Sequence, residues 1–174
     1  FRTIHNPDNI MRVMQYKILK QVLEKIPVPS YIYAFEKGKN IPDMASIHVG
    51  KKIVVSLDLK DFFTSIKQHH LESIFQSVGF GADAARTLSE LCTYKSFVPQ
   101  GALTSPKVSN IFTALTFGPE VKDYCEGKGY TLSIYADDLT ISRDTQVEGD
   151  EGKRTTAELI QFITETVSKY GMRV

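Results

Sequence analysis

The sequence predicts an α+β protein with a split βαβ order, in which antiparallel strands form one sheet and helices pack on one face of it. Apolar and polar residues alternate on both sides of an Asp137-Asp138 pair, which is typical of a hairpin. A short, β-rich apolar run at 53–57 ends at Asp58 and predicts a further strand. Segments with apolar residues at helical spacing lie before, between and after these strands.

Helical spacing and helix-ending residues define the helices. The first covers about residues 7–25 and is ended by Pro27 and Pro29. The others cover about residues 42–48, 67–77, 82–93 and 106–126, the last of these with a kink at Gly118-Pro119. A final helix follows a polar loop at 146–152 and ends at about Tyr170.

Two stretches are predicted to form the sheet. Residues 52–58 make a nearly continuous apolar run, the pattern of a buried strand. Residues 130–142 alternate with a period of two and predict a hairpin that places Asp137 and Asp138 at its bend. The helices separate these strands in the chain, which gives the split βαβ order.

The acidic residues at these strand ends suggest a metal site. Asp is unfavourable in strands, and adjacent carboxylates repel each other unless a divalent cation offsets their charge. If the first strand pairs with the hairpin, Asp58 faces Asp137, and oxygen ligands from Asp58, Asp137 and Asp138 suit two Mg²⁺ ions. Two such ions about 3.5–4 Å apart stabilise a phosphoryl displacement. The alternatives are a polar turn that contains Asp-Asp and a helix-capping role for Asp58; for Asp61, capping is the preferred interpretation.

The loop at 97–104 is a candidate nucleotide-binding segment. Pro99 and Gly101 mark it as a loop, and Ser105-Pro106 reads as an N-cap followed by proline at the first helical position. A glycine-containing loop that leads into a helix offers backbone N–H groups and a positive dipole end to a phosphate.

The order of these segments resembles that of the reverse transcriptases over nearly the whole chain. The matching blocks are a strand ending in Asp58 with Phe62-Phe63 beyond it, then Pro99-Gln100-Gly101 with Ser105-Pro106, then Tyr135-Ala136-Asp137-Asp138. Residues 45–48, 58–63 and 135–140 are more narrowly similar to bacterial retron reverse transcriptases. Group II intron and phage-defence reverse transcriptases share some of these sequence motifs.

This resemblance implies a right-hand-polymerase palm and part of the fingers. Residues 1–50 would be a fingers portion, and residues 51–174 a palm with inserted fingers helices at about 67–97, truncated before the thumb. The implied activity is RNA-directed DNA synthesis from dNTPs, with an RNA template and a DNA or RNA primer. The retron likeness further implies a cognate structured noncoding RNA, an effector protein and a role in phage defence.

The resemblance also implies roles for single residues in catalysis. Asp58 and Asp137 are expected to bind both Mg²⁺ ions, with Asp138 as a lesser ligand or an orienting group. Ala136 would leave room at the bend for the primer end. Tyr135 would pack near the primer strand, or would be a core tyrosine.

Further residues are implied in nucleotide binding. Arg2 would neutralise phosphate charge, unless it is a solvated surface arginine. Gln100 and Gly101 would line the nucleotide pocket, with Gly101 allowing close backbone approach, although Gln100 also fits a plain loop residue. Phe63, five residues after Asp58, would exclude a 2′-hydroxyl and select deoxynucleotides. The alternative is that Phe62 and Phe63 are both core aromatics, and Phe62 is expected in the core.

Composition argues against several other classes of protein. The net charge of +1 over 174 residues is not that of a free-standing nucleic-acid-binding module. No apolar run of about 18 residues and no basic-then-apolar leader is present, so no membrane association is expected. Cys92 and Cys125 lack metal-ligand spacing, which favours reduced thiols in a bacterial cytoplasm.

Three alternatives to templated synthesis differ in what they need from the sequence. A group II intron-like or phage-defence enzyme with untemplated DNA synthesis would keep the same carboxylates. A non-catalytic nucleic-acid-binding relic would have lost metal ligands, yet Asp58, Asp137 and Asp138 are present. A palm-bearing cyclase would need a Gly-Gly-rich turn in place of residues 135–138, and the sequence has none there.

Overall fold

The computed structural model describes residues 4–145 and 149–174. The chain forms two compact units. Unit 1 combines Phe1–Pro29 with Asp61–Leu115, and unit 2 combines Ser30–Lys60 with Thr116–Val174. Arg2 and residues 146–148 lie outside the described residues. The remainder of the loop predicted at 146–152 is helical from Gly149 onward.

Helices and one antiparallel sheet make up these units, which confirms the α+β class. In chain order the elements are α1 (Asn9–Gln21), a 3₁₀ turn (Leu23–Lys25), α2 (Ile41–Ser46), β1 (Ile53–Asp58), α3 (Phe62–Ser65), α4 (Gln68–Ser77), α5 (Ala82–Leu91), α6 (Ser105–Leu115), α7 (Phe117–Gly127), β2 (Thr131–Tyr135), β3 (Asp138–Arg143) and α8 (Gly149–Ser168). The predicted first strand and hairpin are confirmed as β1 and as β2–β3.

Two predicted helices differ from the structure. The helix expected at about 7–25 ends at Gln21 and is followed by the 3₁₀ turn Leu23–Lys25. The helix expected at 106–126 is divided into α6 and α7 at Thr116, whose backbone is not helical, and not at Gly118-Pro119. Pro119 lies in the first turn of α7, where its missing N–H removes no helical hydrogen bond. The predicted N-cap is also wrong: Ser105 is already the first residue of α6, and its Oγ donates to the Pro99 carbonyl at 2.6 Å.

Unit 1 is built around helices α1, α4, α5 and α6. Asp8 caps α1 by accepting a hydrogen bond from Met11 N at 2.8 Å, which satisfies one of the free N–H groups of the first turn. Gln15 on α1 is buried; its Nε2 donates to the Leu91 carbonyl at 3.1 Å, and its Oε1 accepts from Leu103 N at 3.2 Å. These bonds attach α1 to the end of α5 and to the loop before α6.

Unit 2 contains the sheet, with strand order β1-β3-β2 and antiparallel pairing throughout. Leu57, Leu139 and Ile134 are opposite one another and share one face, which the alternation along each strand makes apolar. The α7 helix packs against β2 and α8. The core of this unit includes Val121 on α7 and Leu159 on α8, both fully buried.

The first strand is less buried than its apolar run predicts. Along β1, half-buried and exposed residues alternate, and Val54 is 53% exposed. The expectation of a buried strand is therefore wrong. Among the described residues β1 is an edge strand, so only one of its faces packs on the core.

The edge of β2 is partly covered by the segment that precedes α2. Ile32 forms a parallel bridge to Ile134. Tyr33 N donates to the Ile134 carbonyl, and Ile134 N donates to the Tyr31 carbonyl, each at 2.8 Å. These bonds satisfy backbone groups that an edge strand would otherwise leave free.

Candidate metal and nucleotide site

The three aspartates singled out in the sequence meet at one end of the sheet in unit 2. Asp58 ends β1, Asp138 begins β3, and the two are direct partners in the antiparallel ladder. Asp137 lies in the turn before β3, and its carbonyl accepts a hydrogen bond from Leu59 N at 2.8 Å. This bond attaches the hairpin turn to the chain just beyond β1.

The register corrects one expectation. The sequence suggested that Asp58 would face Asp137, but its partner is Asp138. The bend consists of Ala136 and Asp137 alone, because Tyr135 already pairs with Asp138 across the hairpin. Opposite residues of an antiparallel pair point to the same face, so Asp58 and Asp138 project together.

The turn depends on an unusual backbone at Ala136. Its φ is 57°, in the left-handed region, and its side chain is only 7% exposed. Two-residue hairpin turns commonly need such a conformation, for which glycine, Asn and Asp are the usual residues. A small side chain is the next most compatible choice where the position is also buried.

The pKa of the Asp138 carboxyl is shifted in the folded protein. Burial raises the pKa of its carboxyl above 3.8, and the negative charges of Asp137 and Asp58 raise it further. Each carboxylate therefore makes ionisation of Asp138 less favourable. Positive charge at this end of the sheet would reverse that effect.

The donor atoms fit hard divalent cations. All three aspartates offer carboxylate oxygens, the ligand type that Mg²⁺ prefers. Within residues 4–145 and 149–174, no group of three His, Cys, Asp or Glu side chains lies close enough together to hold a metal ion as it stands. Mutual repulsion keeps like-charged side chains apart unless a cation draws them together.

The residues expected to bind the nucleotide lie in unit 1, where the 97–104 loop is well fixed. His5 N donates to the Gln100 carbonyl at 2.7 Å. Gly101 has a φ of 107°, and a Cβ there would lie 2.7 Å from Ile4 Cγ2 and 2.9 Å from the His5 carbonyl oxygen. Gly101 is therefore needed for close contact with Ile4 and His5 of the chain itself, and its contact with a nucleotide stays a prediction.

The two phenylalanines after β1 differ in burial. Phe62 is 3% exposed and belongs to the core, whereas Phe63 is half-buried. Their rings meet edge to face with centroids 5.5 Å apart. Asp61 lies at the N-cap of α3 with a left-handed backbone (φ 53°), but its side chain makes no capping hydrogen bond, so the predicted capping role is wrong.

Comparison with known proteins identifies the family. The family model described as "Reverse transcriptase (RNA-dependent DNA polymerase)" matches residues 1–174. The chain belongs to the reverse transcriptase family. The matched region covers less than half of each of the first three curated relatives, at 44%, 45% and 42% of their lengths.

Several relatives are bacterial retron enzymes, which confirms the retron-type prediction. The chain is 32% identical over 141 residues to the Retron Ec86 reverse transcriptase of Escherichia coli, covering 81% of this chain and 44% of that protein. It is 30% identical over 176 residues to the Retron Se72 reverse transcriptase of Salmonella heidelberg (strain 579083-10), covering 99% and 45%. Against the Retron Mx65 reverse transcriptase of Myxococcus xanthus it is 30% identical over 178 residues, covering 92% and 42%.

Sequence reasoning gave little weight to one histidine of this reverse transcriptase chain. His48 is buried, with Nδ1 2.6 Å from Ser142 Oγ and Nε2 2.8 Å from Ser133 Oγ. Burial, and secondarily the charge of Lys51, lowers the pKa of His48 below 6.5. His48 therefore has a buried, hydrogen-bonded position between β2 and β3.

Membrane insertion has no candidate helix in the part of the chain that the structure describes. None of the helices there combines the length and the apolar character needed to cross a bilayer.

Proposed function

We propose that this chain carries the catalytic residues of an RNA-directed DNA polymerase. In this reaction a dNTP is added to the 3′ end of a DNA or RNA primer that is paired with an RNA template. The single observation that supports it most is the pairing of Asp58 with Asp138, with Asp137 in the adjoining turn, in a chain of the reverse transcriptase family.

The three aspartates are the proposed ligands of two Mg²⁺ ions. Asp58 and Asp137 hold both ions, and Asp138 is a lesser ligand or orients the others. When bound, such ions lower the pKa of the attacking hydroxyl and neutralise charge on the triphosphate. The protein's own contribution is to position carboxylate oxygens on two strands and a short turn, because phosphoryl transfer depends on positioning and on charge stabilisation.

Further residues have proposed roles in binding the nucleotide and the primer. Phe63 contacts the sugar and excludes a 2′-hydroxyl, and Gln100 and Gly101 line the nucleotide pocket. Ala136 leaves space for the primer end, and Tyr135 packs near the primer strand. Arg2, outside the described residues, neutralises phosphate charge.

The architecture and the biological setting are part of the same proposal. The fold is a right-hand-polymerase palm (51–174, with inserted fingers helices at about 67–97) and a fingers portion (1–50). A structured noncoding RNA and an effector protein are the proposed partners, with a role in phage defence. We place the enzyme in the bacterial cytoplasm, which the free, buried Cys92 and Cys125 support.

Primer extension tests the proposal. The full-length protein, with Mg²⁺, should extend a DNA primer on an RNA template, adding the nucleotide that the template specifies. Asp137→Asn should lower kcat at least about 100-fold, because it removes one proposed cation ligand. Asp123→Asn, a control on the exposed surface of α7, should leave kcat unchanged.

Two results would contradict templated two-metal synthesis. One is incorporation that does not depend on the template sequence, which would favour the untemplated alternative. The other is full activity in the Asp137→Asn protein. The 174-residue chain alone should be much less active than the full-length protein, since its matched region covers less than half of the length of these relatives.

A further inference from the structure

A line of four side chains crosses unit 2 at the end of the sheet that carries the aspartates. The strand register puts Asp58 opposite Asp138, and Asp138 opposite Tyr135, so all three project from the same face. Beyond Tyr135 stands Phe35, with ring centroids 6.4 Å apart and ring planes inclined at 42°. Two carboxylates are thus followed by two aromatic rings.

The ring of Phe35 is not part of the core. Half of the residue is exposed (50%), while its neighbour Ala34 is fully buried. Its backbone has a φ of 59°, in the left-handed region that bulky residues rarely adopt. Strained backbone of this kind persists where the surroundings enforce it and is frequent at binding sites.

The surroundings of Phe35 do enforce its position. Tyr33 is hydrogen-bonded to Ile134 on β2. On the other side of Phe35, Lys39 Nζ donates to the Ser30 carbonyl at 2.8 Å and to the Ile32 carbonyl at 2.5 Å. The segment around Phe35 is therefore attached to the sheet and closed on itself, so it presents the ring beside Tyr135 in a defined place.

The chemistry of this line restricts what can occupy it. Exposed aromatic rings bind nucleobases by stacking, and they do so with little dependence on sequence. Phosphate groups belong at the proposed Mg²⁺ ions of the neighbouring aspartates, because the uncharged rings offer them no positive partner. The nucleoside part of a strand end fits the rings better than a triphosphate does, because its base and sugar carry no charge.

We propose that Phe35, together with Tyr135, binds the 3′-terminal nucleoside of the primer and directs its hydroxyl toward Asp58 and Asp138. This inference rests on the proposed polymerase function and adds Phe35 as a primer-binding residue. Tyr135 supplies the inner ring of the platform, on β2, and Phe35 supplies the outer ring.

The test compares variants at Phe35 in the full-length protein. Phe35→Asn removes the ring and places a residue that tolerates the left-handed backbone, so folding should be retained. Phe35→Tyr keeps the ring. Phe35→Leu keeps bulk without an aromatic face and serves as a second test if Phe35→Asn does not fold. Tyr16→Ala, which removes an aromatic side chain that is 55% exposed on α1, is the matched control.

The probe is a DNA primer with 2-aminopurine at its 3′-terminal position and a dideoxy end, annealed to an RNA template. In the wild-type protein, binding should change the 2-aminopurine fluorescence, and Phe35→Tyr should preserve that change. Phe35→Asn should abolish it and weaken primer–template binding about 5- to 100-fold, the range for loss of one base–aromatic contact. With an extendable primer, Phe35→Asn should change the KM for dNTP less than about twofold, because the platform holds the primer and not the incoming nucleotide. Phe35→Leu should lose the fluorescence change, and Tyr16→Ala should match the wild type.

The outcomes separate this inference from the function on which it rests. If the wild-type protein does not extend a primer with the nucleotides that the template specifies, the proposed function is refuted. If the wild-type protein is active but Phe35→Asn, or Phe35→Leu in its place, keeps normal primer affinity and the fluorescence change, the platform is refuted. A rise in the KM for dNTP with unchanged primer affinity would also refute it.

Discussion

Asp58 lies directly opposite Asp138 in the β1–β3 ladder, so two carboxylates of the candidate site are held by neighbouring strands of one sheet. The backbone of the same hairpin is attached to the chain after β1 by the hydrogen bond from Leu59 N to the Asp137 carbonyl. The positions of all three aspartates therefore depend on the pairing of β1 with β3. The same pairing places two like-charged side chains opposite each other, so they repel each other.

Removing one of these charges should stabilise the metal-free protein. Asp138→Asn should raise the free energy of unfolding by about 0.2–1 kcal/mol in EDTA, because like charges directly opposite each other destabilise a sheet. Mg²⁺ should raise the Tm of the wild-type protein and should raise that of the variant by a smaller amount, because Asp138 is the lesser ligand. Thermal unfolding with EDTA and then with Mg²⁺ measures both effects.

The matched control for this experiment is Asp123→Asn on α7. It should leave both the Tm in EDTA and the Mg²⁺-dependent rise close to the wild-type values. A loss of stability in EDTA for Asp138→Asn, or an undiminished response of that variant to Mg²⁺, would contradict a shared cation site at these carboxylates.

His48 should make stability depend on pH. The pKa of His48 is lowered in the folded protein, chiefly by burial and then by Lys51, so the unfolded chain takes up the proton first as the pH falls. The stabilisation is complete above about pH 6.5, the unfolded pKa of histidine, and is lost as the pH decreases from there toward the folded pKa. Urea unfolding at pH 7.5 and pH 5.5 should show this decrease.

Substitution of His48 provides the check on that pH dependence. His48→Ala should cost about 2–4 kcal/mol at pH 7.5, because the buried hydroxyls of Ser133 and Ser142 lose their partner and a cavity forms. The variant should be less sensitive to pH than the wild type. If His48→Ala keeps the full wild-type pH dependence, that dependence comes from other groups such as His70, whose pKa is also lowered by burial.

The hairpin bend should tolerate glycine better than a helix does. Ala136→Gly relieves the left-handed backbone but removes a buried methyl group, so stability should stay within about 0.5 kcal/mol of the wild type. Ala84→Gly, on the exposed side of α5, should cost about 1 kcal/mol. Ala136→Val should cost about 2 kcal/mol or more, since a β-branched residue is strained there. Chemical denaturation of the three variants tests this order, and equal losses for both glycine variants would contradict it.

Alanine substitutions at Gly101 and Gly79 should distinguish the cost of steric contact from the cost of backbone strain. Both have a φ near 105° (107° and 104°), but a Cβ at Gly101 would meet Ile4 and His5, whereas nothing lies within 4 Å of one at Gly79. Gly79→Ala should therefore show only the backbone term, about 1–2 kcal/mol. Gly101→Ala should lose about 1–3 kcal/mol more. Unfolding in urea measures the difference, and equal losses would show that the loop yields to the added methyl.

Local patterns were sufficient for the elements that carry the candidate site. The alternation around Asp137-Asp138 predicted the hairpin, because side chains of a strand alternate between faces. It also placed both aspartates in the bend, whereas Asp138 is already the first residue of β3. The apolar run before Asp58 predicted a strand that ends at this residue. The position of Phe62 in the core was also predicted.

The partner of each residue depended on contacts between distant segments. Sequence periodicity determines which face a strand buries, but not which residue of another strand lies opposite, and a shift of one position replaces Asp137 with Asp138 as the partner of Asp58. The position of β1 at the sheet edge and the bonds of His48 to Ser133 and Ser142 likewise join parts of the chain far apart in sequence.

The sequence by itself determined the types of chemistry in this protein: carboxylates at strand ends, a glycine-containing loop before a helix, and an aromatic residue after the first strand. Only the tertiary structure decided that Asp58 and Asp138 share one face and that Phe35 continues their line beside Tyr135. The physical reason is that hydrogen-bonding propensity and hydrophobic alternation act within a few residues, whereas register and side-chain neighbours are set by packing between segments about a hundred residues apart.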